Sequence, residues 1–514
     1  MVAAYTKALG NSLDKRRRGE AAITSTLSFG SLTVLAAVII AMWAIYVGPA
    51  SSPASWIGLA ICGLCLYQLA HLVSSRTGAF MQYGFWSFVF VWVGFAPLVQ
   101  MHYNKLPWPD VPITGLYVPA QLLLAGAVGA YFVGSRVGST SARQRVSSWT
   151  APSTEVNRKW IPLLALVVVG PYALSRSGGV AARFTSRYTF TQHLQQVGIS
   201  QATGGSIQIA IIQLFPAAAA AVLAYCAFAD FAARKDGATA KYPARSALQL
   251  GLAVVAVALF ANPLSSSRFI FFSVLLAAIY ATFRLRSRQS HQVLALAQVV
   301  GLMAVYPLSA WFKLGGQTFA GYNGGRSLNV GTSSFLGVDF DGFQQTANAV
   351  YYVHRSGYGF GHFTVSALGF WIPRAIWSGK AQPASYPVSA SRDYVFQNLS
   401  LPLWTELFVD FGVPGMLVIM FFLGRLSRAL DLRTLHNRNT LAGHLGAIIG
   451  ACQIGFLRGP MGAQMPFFAT ALILGYLALR TSRPRTRLPD MAHKGTTLNQ
   501  PEAGPSRLIS LGKM

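Results

Sequence analysis

The chain has 514 residues, 53% of them hydrophobic and only 11% charged, with a mean hydropathy of +0.44. An ordinary soluble chain carries roughly 25% charged residues, so a string of soluble domains is excluded and the composition is that of a polytopic membrane protein. The 41 lysines and arginines against 14 acids give a net charge of +27, which in a soluble protein would point to nucleic acid, so the distribution of that charge matters more than its sum.

A spanning helix needs about 20 mostly apolar residues, because every backbone polar group in the hydrocarbon must be paired within the segment. Twelve such segments are predicted, within a range of 11 to 13, near 27–48, 55–74, 79–99, 115–135, 160–175, 206–229, 246–262, 268–283, 292–312, 404–424, 441–457 and 463–480. The first is longer than the apolar region of a signal peptide and lacks a small-residue cleavage site, so it is expected to remain as an anchor. With the Lys15-Arg16-Arg17-Arg18 run placed in the cytoplasm, alternate loops fall inside, and 29 of the 41 cations lie there. The basicity is therefore topological, as the positive-inside rule requires, and both termini are expected in the cytoplasm. Residues 1–26 form a basic amino-terminal segment and 481–514 a basic tail rich in Pro, Ser and Arg, expected to be disordered near anionic lipid. Cys62, Cys65, Cys226 and Cys452 all fall inside apolar runs, which implies no disulfide framework.

Between 27 and 312 lie the first nine spans, interrupted by an external segment at 176–205; a second external segment occupies 313–403, and spans ten to twelve fill 404–480. Loops longer than about 15 residues are usually functional or disordered. In the second, Leu336, Phe340, Phe343, Ala347, Val350, Tyr351 and His354 recur at helical spacing, which predicts an amphipathic helix lying on the membrane or over a cavity.

Cations on the external side run against the sorting rule, so each needs a reason. Arg183 and Arg187 are four apart, which would put both on one helix face around an anion. Arg268 opens the eighth span after Asn262-Pro-Leu-Ser-Ser-Ser. Arg374 stands in Phe370-Trp371-Ile372-Pro373-Arg374, among aromatics, and Lys105, Arg176, Lys313, Arg326, Arg355, Lys380, Arg392 and Arg458 complete the set. Guanidinium groups hold phosphate or carboxylate in two places at once. External acids are few: Asp110, Asp339, Asp341, Asp393, Glu406 and Asp410, with His102, His193, His354 and His362 as the external histidines. Any general base on this side is drawn from them. Glu406 and Asp410, also four apart at the head of the tenth span, would either offset a helix dipole or form a carboxylate pair beside an arginine-lined cavity. Asp339-Phe340-Asp341 supplies two carboxylates, too few oxygens for a hard-cation site, so no metal is expected. Cys62 and Cys65 are read as core packing, and the alternating glycines of Gly357-Tyr-Gly-Phe-Gly-His as a tight turn.

From Leu336 to Gly424 the chain resembles the bacterial oligosaccharide repeat-unit polymerases, the Wzy-type O-antigen polymerases. The resemblance rests on Asp339 and Asp341, then Tyr358-Gly359-Phe360-Gly361, then Ile372-Pro373-Arg374-Ala375-Ile376-Trp377-Ser378-Gly379-Lys380-Ala381-Gln382-Pro383. It closes with Glu406 leading into Phe411-Gly412-Val413-Pro414-Gly415 and Leu423-Gly424. Ser266-Ser267-Arg268 is similar to an arginine motif shared with O-antigen ligases; Ala381-Gln382, between Lys380 and Pro383, departs from the pattern. The resemblance implies an all-helical membrane glycosyltransferase of the C-type superfamily in a bacterial cytoplasmic membrane. Such an enzyme joins polyprenyl-diphosphate-linked oligosaccharides on the external face, inverting and without metal or other cofactor, alongside a flippase and a chain-length regulator. Arg183, Arg187, Arg268, Arg326, Arg355, Arg374 and Lys380 would then grip the diphosphate, with Arg374 also catalytic, and Glu406 or Asp410, with His354 in reserve, would activate the acceptor hydroxyl. An O-antigen ligase, a transporter or flippase of lipid-linked oligosaccharide, and a noncatalytic scaffold are the alternatives.

Overall fold

The computed structural model describes residues 52–113, 115–137, 157–199, 207–236, 244–309, 332–394, 397–436 and 438–480. The segment at 27–48, both terminal segments, Lys313 and Arg326 lie outside the described residues. Among the described residues there is no strand, and eight helices are long and apolar enough to cross a membrane. In chain order these are α1 (Pro53–Ser75), α2 (Phe80–His102), α3 (Tyr117–Arg136), α7 (Ile207–Ala232), α10 (Arg288–Leu308), α14 (Leu403–His436), α15 (Leu441–Arg458) and α16 (Met461–Leu479). Three shorter apolar helices stand among them: α4 (Ile161–Arg176), α8 (Ala244–Phe260) and α9 (Arg268–Thr282). The remaining helices are short or polar: α5 (Gly179–Arg183), α6 (Arg187–Gln196), α11 (Gly342–Ser356), α12 (His362–Leu368) and α13 (Ser385–Ala390).

Local chemistry sets the helix ends. The Ser52 hydroxyl accepts the Ser55 amide at 3.3 Å ahead of Pro53, and α1 stops at Arg76 in the left-handed region. The tenth apolar run was expected to end at 424, but α14 continues to His436, bending at Gly412 (φ 68°) just before Pro414. The charged stretch from Arg425 onward stays helical because it is used structurally. Asp431 is buried and takes the amides of Ala79 (2.8 Å), Met81 (3.0 Å) and Gln82 (2.9 Å), the orphan donors at the start of α2, and Arg428 donates to the Thr77 carbonyl.

Close packing comes from small residues. A Cβ at Gly134 of α3 would run into the Phe421 carbonyl of α14, and one at Gly424 into the Tyr131 carbonyl, so the two backbones touch. Where apolar burial gives no advantage over lipid, such approach is what holds helices together.

The predicted external segment folds over one end of the bundle. The Gln100 side-chain amide, in the last turn of α2, donates to the Phe335 and Phe340 carbonyls at 2.9 Å each, and Trp92 Nε1 donates to the Asp339 carbonyl at 3.0 Å. Of the residues expected on one amphipathic helix, Phe343 to His354 lie in α11, while Leu336 and Phe340 sit in 3-10 turns before it. Phe343 and Ala347 are buried, and α11 packs against α3 and α14 rather than lying free on a surface.

Candidate functional site

Three arginines from separate parts of the chain meet at this end. Arg268, the first residue of α9, is buried, forms a salt bridge with Asp339, and donates to the Tyr306 carbonyl at 3.4 Å while its guanidinium stacks 4.8 Å from the Tyr306 ring. Arg458, the last residue of α15, donates to the Asp339 carbonyl at 3.4 Å, stands 3.9 Å from an Asp341 carboxylate oxygen and lies 4.7 Å from the Phe269 ring. Arg187, the first residue of α6, is half-buried. Burial first, and then the positive charge of Arg268 and Arg458, lowers its pKa from the usual arginine value, with Asp339 acting the other way. It makes no hydrogen bond or ion pair to a described residue, so its donors remain open to a ligand.

Three cations thus face two carboxylates, and one of these is weakened. Asp341 is buried, accepting from Ser400 and, at 3.1 Å, from Trp108 Nε1. Burial raises its pKa above the usual carboxylate value, against the opposing pull of Arg458, Ser400 and Trp108. Among the described residues the cluster keeps a positive excess in a partly desolvated place, where a unit charge pair at 4 Å interacts by about 4 kcal/mol at an effective dielectric of 20. An anion with several oxygens is the ligand that balances it. Among the described residues no three His, Cys, Asp or Glu converge as a metal site.

The other expected site residues are placed differently. Arg183 and Arg187 do not share a helix face: α5 ends at Arg183 and α6 begins at Arg187, with Ser186 capping α6 through the Thr189 amide at 3.2 Å. Arg183 is buried, donating to Ser177 Oγ (3.1 Å) and the Ile212 carbonyl (2.8 Å) and lying over the Phe190 ring at 5.0 Å; burial lowers its pKa to about 10, so it stays charged as a structural tie.

Lys380 spends its three protons on the carbonyls of Gly369 (2.9 Å), Phe370 (3.0 Å) and Ile372 (3.0 Å), closing the carboxyl end of α12. Burial, and then Arg374, lowers its pKa. Arg374 is exposed and turns back to the Lys380 and Ala381 carbonyls. The Pro-Arg to Lys segment is therefore a loop that satisfies itself.

Glu406 and Asp410 are both fully buried, and each serves a neighbouring helix. Glu406 accepts the Met461 amide at the start of α16 at 2.6 Å, and Asp410 accepts the Phe363 (3.1 Å) and Thr364 (2.6 Å) amides at the start of α12. Neither forms a hydrogen bond or ion pair with the arginine cluster. His354 and Arg355 are exposed in the last turn of α11, where Arg355 donates to the Tyr351 hydroxyl at 2.6 Å.

Sequence reasoning named Arg458 only as one external cation among twelve and gave it no role. The usable signal was that it closes one apolar run while Arg268 opens another on the same side. In comparisons with protein-family models, curated proteins and solved structures, nothing matches the chain.

Proposed function

We propose that the chain is a bacterial cytoplasmic-membrane glycosyltransferase of the oligosaccharide-polymerase kind, with about twelve spans. In this reading it joins polyprenyl-diphosphate-linked repeat units on the side of the membrane that carries the arginine cluster. The observation that carries the reading is the meeting of Arg187, Arg268 and Arg458, with a positive excess among the described residues, at one end of the bundle. A lipid diphosphate has the charge, the oxygen count and the membrane anchorage that such a place selects. In the transfer, the acceptor hydroxyl oxygen forms the new bond to the anomeric carbon, the bond from that carbon to the diphosphate oxygen breaks, and the diphosphate leaves with the electron pair. Arginines meeting that developing charge each contribute about 3 kcal/mol when well placed. Asp339, held by Arg268 and partly exposed, is the carboxylate that would take the proton of the acceptor hydroxyl as the new bond forms.

Arg268→Ala, Arg458→Ala and Arg187→Ala are each expected to reduce polymer formation by roughly 10²- to 10³-fold while the protein still inserts. The readout is the length of the surface glycan, with a single repeat unit left on the final acceptor. Full-length polymer from all three variants sinks the proposal. Long polymer stranded on the carrier lipid assigns a ligase instead, and solute movement across reconstituted vesicles without any change in glycan length assigns a transporter.

A further inference from the structure

The segment from Tyr358 to Lys380 ties its polar groups to its own backbone and leaves several large apolar side chains outward. The Lys380 ammonium is consumed by three carbonyls, Arg374 by two, His362 Nε2 pairs with the Gly379 carbonyl at 2.8 Å, and Ser366 Oγ accepts the Ala381 amide at 2.9 Å. The outside shows Phe360 at 87% exposure, Ile376 at 79% and Trp371 at 63%, with Val365 and Leu368 beside them. Outward residues of the apolar helices are exposed to a similar degree: Val168 in α4 stands at 70% and Phe422 in α14 at 59%. An apolar face of this kind on a rigid element marks a contact with membrane or partner.

Two observations choose the membrane. The patch is continuous with the outward apolar side of α14, a helix long and apolar enough to cross a membrane. The Gly359 amide donates to the Val409 carbonyl at 2.9 Å, a Cβ at Gly361 would meet the Phe411 ring at 3.0 Å, and from that kink the outward face continues through Val413, Val418 and Phe422. The inner side of α12 and the loop after it is fixed to the bundle, through Asp410 on the first amides of α12 and through the Phe370 ring 6.4 Å from that of Phe215 in α7. The apolar face is therefore held outward at the rim of the bundle, with tryptophan and tyrosine beside aliphatic residues as at a bilayer interface.

We propose that α12 and the loop after it form a wedge whose Phe360, Trp371 and Ile376 insert among the phospholipid acyl chains of the leaflet on the arginine-cluster side. The wedge rests on this geometry alone and holds whether or not the chain transfers sugars. Lys380 is buried on three carbonyls and the exposed Arg374 is paired with two more, which lowers the desolvation cost of bringing this face against lipid.

Single cysteines at Ile376 and Trp371, carrying a nitroxide in the full-length protein in phosphatidylglycerol–phosphatidylethanolamine vesicles, test it. The four native cysteines are buried and remain unlabelled. Both labels are expected to be open to oxygen and shielded from a water-soluble nickel chelate, as at Val418→Cys, and unlike His354→Cys at the exposed end of α11. Nickel access equal to that at position 354 overturns the wedge, and so does shielding from both reagents, which would mean a protein partner or a second copy covers the face. Unaltered protein gives a second measurement that does not depend on the variants folding. A phospholipid with a photoreactive group at mid-chain should label the peptide covering 358–379 along with that containing Val418, and labelling of the latter alone refutes the insertion.

Discussion

Two arginine-bearing regions at the same end of the bundle have opposite fates. Around Arg268, Arg458 and Arg187, guanidinium groups from three distant points of the chain face two carboxylates and keep a positive excess. Around Arg374 and Lys380, every described donor contact is a backbone carbonyl within twelve residues of its own position. In the proposed reading the first is a charge arrangement that a ligand completes; the second is a knot that the chain completes by itself. An external cation is thus a poor guide to function until the destination of its protons is known, because a carbonyl that fills a guanidinium or an ammonium leaves nothing for phosphate.

The sharpest test of the contrast is Lys380→Met, which keeps the length of the stem and removes the charge. Hydrogen bonds to charged groups carry about 1.5–3 kcal/mol each, but the bared carbonyls lie near the surface and recover water. A net loss of about 2 kcal/mol is expected, seen as a lower midpoint of thermal unfolding in detergent. The molecules that remain folded should polymerise within a few-fold of the parent. A variant of unchanged stability that makes no polymer would place Lys380 with the ligand-binding groups and erase the distinction.

The helical frame was readable because apolar runs report burial in lipid directly. Eleven of the twelve expected segments coincide with described helices to within a few residues at most ends, and the twelfth, 27–48, lies outside the described residues. The failures share one cause, that a polar side chain's partner is set by tertiary contact. Nothing in the sequence near Asp431 announces that it caps a helix some 350 residues earlier. Glu406 and Asp410 do offset helix dipoles, but those of α16 and α12 rather than their own. The break between Arg183 and Arg187 did have a local signal. Ser186, three residues before Thr189, is a helix-starting pattern that a four-residue spacing rule overlooks.

A smaller effect follows from Asp341. Its pKa is raised by burial, so the folded protein binds this proton more readily than the unfolded chain does. The stability it contributes is present below the unfolded carboxylate pKa and is lost as pH rises through the higher folded value. As pH falls through that raised value, Asp341 takes up its proton and the cluster gains one unit of positive charge. Binding of a diphosphate diester, whose two phosphates stay ionised throughout, should therefore tighten several-fold as pH falls through the raised pKa of Asp341. Calorimetric titration across that range measures it, and Asp341→Asn should flatten the profile. A profile that is flat in the parent, or unchanged in the variant, removes Asp341 from the electrostatics of the site and leaves the contrast resting on Asp339 alone.

The least effect is expected from Arg374→Ala, and for that reason it discriminates well. The side chain is exposed and its two carbonyl partners lie six and seven residues away in sequence, so the loop loses a strap that water replaces, at a cost under about 1 kcal/mol. Glycan length should match the parent, and the melting midpoint should move by less than in Lys380→Met. The resemblance to repeat-unit polymerases implies the reverse, a catalytic arginine whose loss costs two to three orders of magnitude in rate, the size expected of a lost charge-stabilising donor. If polymer fails in Arg374→Ala while Lys380→Met remains active, the loop must open when substrate arrives and release the guanidinium toward the diphosphate. The self-contained knot would then be the resting form of a site rather than a structural closure.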